Sequence, residues 1–127
     1  MSPTVKKVLY IEDSPVNAAL IEEYANHIDQ VEVIIATTGE EGVKVAEKLH
    51  PDLILMDINL PGITGVQAME DIKELGGKLS KIPFIALSAD AICDEINSAL
   101  DAGFDDYLTK PVFFDKLKDV LVQYLEL

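Results

Sequence analysis

The chain has 127 residues, of which 49% are hydrophobic, and 23 acidic side chains against 10 basic ones give a formal charge of −13. That is the length of one domain and the apolar content of a folded globule, which excludes intrinsic disorder, and no apolar run approaches the ~18 residues of a membrane span. A field this negative disfavours nucleic acid and anionic membrane surfaces and favours a divalent cation, although the solvated faces of helices carry much of the charge.

Residues Met1 to Lys7 carry two lysines before a short apolar stretch that runs straight into Glu12-Asp13. No signal-peptide core has that form, so a cytosolic protein is expected. Strand and helix patterns then alternate five times. The first strand is expected over about Lys7 to Glu12, built on Val8-Leu9-Tyr10-Ile11. Ser14-Pro15 supplies a capping side chain followed by proline at the first helical position, and Leu20, Ile21, Tyr24, Ala25 and Ile28 follow at helical spacing. Val31 to Ala36 is a strand rich in branched residues. Thr38 with Glu41 matches a capping box, and Val43, Ala46 and Leu49 form the face of a helix that Pro51 ends.

Asp52 to Asp57 reads as a strand buried on both faces, with the run Leu53-Ile54-Leu55-Met56. Pro61-Gly62 and Gly65 mark the loop after it. Thr64 with Gln67 repeats the capping pattern, Val66, Met69 and Ile72 form an apolar stripe, and Gly76-Gly77 closes the helix. The fourth strand is expected over Ile82 to Leu87, and a helix over Ala91 to Ala102 with Ile92, Ile96, Ala99 and Leu100 on one side. Gly103 stops it. Asp105 to Leu108 is a short fifth strand, and a last helix over about Phe113 to Glu126 buries Phe114, Leu117, Leu121 and Leu125. Five βα units of this length predict a single three-layer α/β domain, folded over about residues 5–126, with right-handed crossovers placing helices on both faces of a parallel sheet.

Four strand ends carry chemistry: Glu12-Asp13, Asp57, Ser88 and Lys110. An open parallel sheet gathers such residues at its carboxyl edge, where these folds bind ligands. Taken alone, any one of the acids reads as well as a turn or cap residue. All of them in order at successive strand ends do not. The histidines, His27 and His50, have no ligand spacing and are expected at the surface, and the lone Cys93 is expected to be a packed thiol in a helix.

In these residues the chain resembles a receiver domain of two-component response regulators. The features that carry the likeness span nearly the whole chain: Glu12-Asp13, Asp57, Pro61-Gly62, Gly65, Ser88-Ala89 and Lys110-Pro111. The runs Glu12-Asp13-Ser14-Pro15-Val16-Asn17 and Ala86-Leu87-Ser88-Ala89-Asp90-Ala91 look most like receivers attached to hybrid histidine kinases, so the chain reads as a free-standing receiver or an excised one.

The resemblance implies a flavodoxin-like sheet of order 2-1-3-4-5, an arrangement known from the chemotaxis member of the family. It implies that Asp57 takes a phosphoryl group from a phosphohistidine on a histidine kinase or histidine phosphotransfer protein, so that the chain catalyses its own phosphorylation and dephosphorylation rather than acting as a conventional enzyme. It assigns Mg²⁺, with Mn²⁺ as a substitute, to Asp13, Asp57 and the backbone carbonyl of Asn59, with Glu12 acting through water. Ser88, the N–H of Ala89 and Lys110 are to hold the phosphoryl oxygens, with a cis Lys110-Pro111 bond aiming the amine. Ser88 and Tyr107 form the switch, which reshapes the face made by the fourth helix, fifth strand and fifth helix for a downstream protein. Position 88 is Ser where many relatives have Thr, and positions 59 and 90 tune how fast water reaches the phosphoryl group.

Three alternatives stand beside this reading. A receiver used only as a docking module conflicts with the complete set of acids, hydroxyl and lysine. An electron carrier on the same sheet order needs a Ser/Thr/Gly-rich phosphate cradle after the first strand, where this chain has Glu12-Asp13-Ser14-Pro15. A metal-dependent phosphatase wants an acid two residues past the first, where this chain has Asn59, and there is no Gly-rich nucleotide loop.

Overall fold

A computed structural model of the chain describes residues 5–58, 60, 62–89 and 93–127, apart from the side chains at 93 and 95. Its strands are β1 (Lys6–Ile11), β2 (Val31–Ala36), β3 (Leu53–Asp57), β4 (Phe84–Ser88) and β5 (Asp106–Thr109). Its helices are α1 (Pro15–Asn26), α2 (Gly39–Leu49), α3 (Gly65–Glu74), α4 (Cys93–Ala102) and α5 (Phe114–Leu125), with a 3₁₀ turn over Gly77–Ser80. The expectations for Asn59, Pro61, Asp90, Ala91, Ile92 and the Cys93 thiol lie outside the described residues.

The five strands pair in parallel in the order β2-β1-β3-β4-β5, the expected flavodoxin-like order. Every residue of β3 and β4 is buried, as a parallel sheet covered on both faces requires. Alternation along each strand divides the core in two. Val8, Tyr10, Leu53, Leu55, Ile85 and Leu87 pack under α1 and α5, against Ile21, Leu117 and Leu121. Leu9, Ile11, Ile54, Met56, Phe84 and Ala86 pack under α2, α3 and α4, against Ala46, Met69 and Ala99. An edge-to-face contact between Tyr24 and Phe114, with centroids 5.6 Å apart, joins α1 to α5.

The helix starts follow from their caps. The Ser14, Thr38 and Thr64 hydroxyls accept from the backbone N–H groups of Asn17, Glu41 and Gln67. The return halves of the two capping boxes differ from the pattern: the Glu41 carboxylate accepts from the Thr37 hydroxyl and the Gln67 amide donates to Asp71. Strand limits move by one or two residues, each for a local reason. Pro83 has no N–H for the ladder, and the Ile82 N–H instead closes the turn onto Lys78 O at 3.2 Å, so β4 begins at Phe84 rather than Ile82. Asp52 stays outside β3, where its carboxylate accepts from the Lys7 N–H at 2.9 Å and from Lys78 Nζ at 2.7 Å. Leu100, expected on the inner side of its helix, is 37% exposed. His27 and His50 are exposed, as expected. No helix among the described residues is long and apolar enough to cross a membrane.

Candidate functional site

The strand register sets the chemistry-bearing ends side by side. Ile11 pairs with Met56, Asp57 with Leu87, and Ser88 with Thr109, so Glu12, Asp57, Ser88 and Lys110 arrive at one rim of the sheet. The Lys110 N–H donates to Ser88 O at 2.8 Å and the Ile58 N–H to Leu87 O at 3.0 Å, which carries the alignment past the last ladder residues. The Lys110-Pro111 bond is cis. Among the described residues, the buried polar or charged side chains are Glu12, Asp57 and Ser88, at 1%, 4% and 0% exposure, and all three sit at this rim.

Burying two carboxylates is costly unless they are paired and hydrogen-bonded. Lys110 pairs with both. Its Nζ lies 2.9 and 3.1 Å from the two oxygens of Glu12 and 3.0 Å from Oδ2 of Asp57. Glu12 receives two further donors, one on each oxygen: Asn17 Nδ2 on Oε1 at 3.1 Å and the Tyr10 hydroxyl on Oε2 at 3.2 Å. Burial pushes the Glu12 carboxyl up, but the Lys110 and Asn17 hydrogen bonds and the lysine charge outweigh it and hold it below the ordinary carboxylate range. Burial likewise pushes the Lys110 ammonium down, and its bonds to Glu12 and Asp57 more than reverse that, so it stays charged. Burial first, then the charge of Glu12, raises the Tyr10 phenol, which remains a proton donor.

Asp13 completes the acidic group from the solvent side. It is exposed, and Glu12, Asp13 and Asp57 each offer an oxygen within 4.8 Å of the others. Three carboxylates against the one ammonium leave an uncompensated negative charge, and the donors are all hard oxygens. That is the donor set a small hard dication takes, with an open side for its waters. The fourth expected ligand, the carbonyl of Asn59, lies outside the described residues.

The loop after β3 is held close to the acid. A Cβ on Gly65 would lie 2.7 Å from the backbone oxygen of Asp57 and 3.1 Å from Ile58 Cα, so α3 begins against the phosphoacceptor candidate's own backbone.

The remaining expected residues take separate places. Ser88 shares strand parity with Phe84 and Ala86 and so faces the α2–α3–α4 layer. Ala89, next in chain, is exposed. Tyr107 alternates with the inward Leu108 and is 40% exposed, on the same side of the sheet as Ser88. It borders a cleft of about 550 Å³ with Pro111, Phe113, Lys116 and Val120, on the side of β5 and α5.

Two partners of the site escape a reading by motif: Tyr10 and Asn17. Both had a signal. Tyr10 stands two residues before Glu12, hence on the same strand face, and Asn17 stands one helical turn past the Ser14 cap.

The sequence matches the response regulator receiver domain family over residues 8–122. It is 34% identical over 126 residues to the sensor protein GacS of Pseudomonas syringae pv. syringae, covering 98% of this chain and 14% of that protein. The chain therefore spans a small part of such relatives. The structure is similar to the receiver domain of sensor histidine kinase PA1611 from Pseudomonas aeruginosa PAO1, solved with a magnesium ion coordinated in the active site cleft, at TM-score 0.87 and 31% identity over 98% of this chain and 100% of that one. It is also similar to the receiver domain of the response regulator Ssk1 from Saccharomyces cerevisiae, solved with the histidine phosphotransfer signaling protein Ypd1, at TM-score 0.85 and 25% identity over 98% of this chain and 91% of that one.

Proposed function

The chain belongs to the response regulator receiver domain family and is a phosphorelay receiver, and on that basis we propose that Asp57 is its phosphoacceptor. The observation that carries the assignment is the position of Lys110, whose ammonium lies 3.0 Å from the Asp57 carboxylate in a pocket where three acids converge.

The reaction follows from what these side chains do. The Asp57 carboxylate, fixed beside the Lys110 ammonium, attacks the phosphorus of a phosphohistidine. A new O–P bond forms, the N–P bond breaks, and the imidazole leaves with the bonding electron pair. A carboxylate is a weak nucleophile and phosphoryl transfer needs mainly positioning and charge neutralisation, which a buried, lysine-fixed acid provides. Lys110, the Ser88 hydroxyl and the backbone N–H of Ala89 receive the phosphoryl oxygens. A divalent cation, Mg²⁺ by donor type, held by Asp13, Asp57 and the Asn59 carbonyl with Glu12 behind them, supplies the remaining neutralisation when bound.

The donor we propose is a histidine kinase or a histidine phosphotransfer protein, in keeping with the sensor-protein relatives and with the partner of Ssk1. The response leaves through the α4–β5–α5 face. Recruitment of Ser88 to the phosphoryl group lets the half-exposed Tyr107 turn inward beside the β5–α5 cleft, biasing two states of that surface that a downstream protein distinguishes. The same reading places the chain in the cytoplasm.

The test is incubation with a divalent cation and a small acyl-phosphate donor. An added phosphoryl mass that hydroxylamine removes is the expected result. A chain that stays unmodified, or a modification that survives hydroxylamine, refutes the assignment.

A further inference from the structure

We propose that Tyr10, with Asn17, is a positioning residue: the two hold the Glu12 carboxylate in place when Lys110 is drawn toward a phosphoryl group on Asp57. The inference rests on the reading of Asp57 given above.

Lys110 is shared. It lies 2.9 and 3.1 Å from Glu12 and 3.0 Å from Asp57. Once Asp57 carries a phosphoryl group, the new oxygens compete for the same three N–H donors, and the contact with Glu12 weakens. Glu12 is 1% exposed, so bulk solvent does not make up the loss. A buried anion that loses its cation is strongly destabilising unless other donors remain.

Among the described residues two neutral donors remain, one per oxygen, each on an element other than the one that carries the lysine. Tyr10 OH donates to Oε2 at 3.2 Å from a central strand, and Asn17 Nδ2 donates to Oε1 at 3.1 Å from the first turn of a capped helix. Packing alone does not call for a tyrosine here. Tyr10 is 1% exposed among Val8, Ile21, Leu55 and Leu117, a site that a phenylalanine suits at no polar cost. The hydroxyl has a use because Glu12 accepts it. The clamp thus acts on the phosphorylated state of the switch: without it, Glu12 keeps its hold on Lys110 and that state is disfavoured.

Tyr10→Phe removes one oxygen and keeps the ring. Three quantities are measured on it and on the wild type: the thermal midpoint, Mg²⁺ affinity by calorimetry, and affinity for beryllium trifluoride, a non-covalent phosphoryl mimic, with Mg²⁺ present. Loss of a hydrogen bond to a charged group predicts that mimic affinity falls about tenfold, while Mg²⁺ affinity shifts by less than about threefold. Asn17→Ala, which leaves the core untouched, shifts the mimic in the same direction and keeps the question open to test if Tyr10→Phe folds poorly. Mimic affinity equal to wild type in either well-folded variant overturns the inference, leaving Tyr10 a packing residue. If the wild type itself takes up neither the mimic nor a phosphoryl group, the reading of Asp57 falls first and this inference with it.

Discussion

Lys110 touches two carboxylates at once, and this decides what each substitution at the site does. Asp57→Asn keeps shape but removes the proposed nucleophile, so no hydroxylamine-labile phosphoryl mass is expected after treatment with an acyl-phosphate donor. Lys110→Ala leaves the three acids to a cation, so calorimetry is expected to show Mg²⁺ binding retained while the phosphorylation-dependent change is mostly lost. The pH dependence follows from the direction of each shift. Glu12 is held below its ordinary value, so its contribution is present above that value and is lost as pH falls through the lower, folded one. Lys110 is held above its ordinary value, so its contribution is full below that value and is lost as pH rises through the higher, folded one. Denaturant midpoints should therefore show Glu12→Gln less stable than wild type across neutral pH, with the gap closing in acid below about pH 4. A gap that stays constant into acid contradicts the ion pair. Asp57, Glu12, Asp13, Ser88 and Lys110 were legible because each interrupts or ends an apolar run. Tyr10 carried a weaker signal, its place two residues before Glu12, because a tyrosine inside Val8-Leu9-Tyr10-Ile11 otherwise looks like any other core residue.

At the level of elements, the close approach of α3 to the end of β3 constrains the site. Gly65→Ala puts a methyl group 2.7 Å from the backbone oxygen of Asp57, and backbone cannot rotate out of the way as a side chain can. The start of α3 must shift, at a cost of about 1–3 kcal/mol for overpacking. Unlike a change in the distal core, it should also lower Mg²⁺ affinity, as calorimetry beside a denaturant titration would reveal; weakened stability with wild-type affinity would show that the acid is held independently of α3. Helix starts were readable from Ser14-Pro15, Thr38 and Thr64 because a cap is a short-range device. The 3₁₀ turn over Gly77–Ser80 was not, because paired glycines announce a break without naming its shape, here with φ of 78° and 60° at Gly76 and Gly77. The start of β4 slipped for a similar reason: Ile82 has strand chemistry, but its N–H is spent on the turn.

For the molecule as a whole, a divalent cation held in the acidic pocket would couple binding to stability. A ligand that binds only the folded state stabilises it by about 2.7 kcal/mol at a hundredfold excess over its Kd. Adding Mg²⁺ should thus raise the thermal midpoint, chelation should reverse the rise, and Asp13→Ala should suppress most of it. An equal rise in the variant would remove Asp13 from the site. The alternation of five strands with five helices was readable from periodicity, and so was the meeting of strand ends at one rim. The order of the strands was not: periodicity names elements, and only the likeness to a known family ordered them as β2-β1-β3-β4-β5. Parity along those strands has one more consequence. Asp57 turns toward the layer of α1 and α5, and Ser88, one strand over, toward the layer of α2, α3 and α4. On the proposed mechanism, a mark written on one side of a rigid wall is read from the other, across the lip where two strands stop. The wall need not bend for the message to pass.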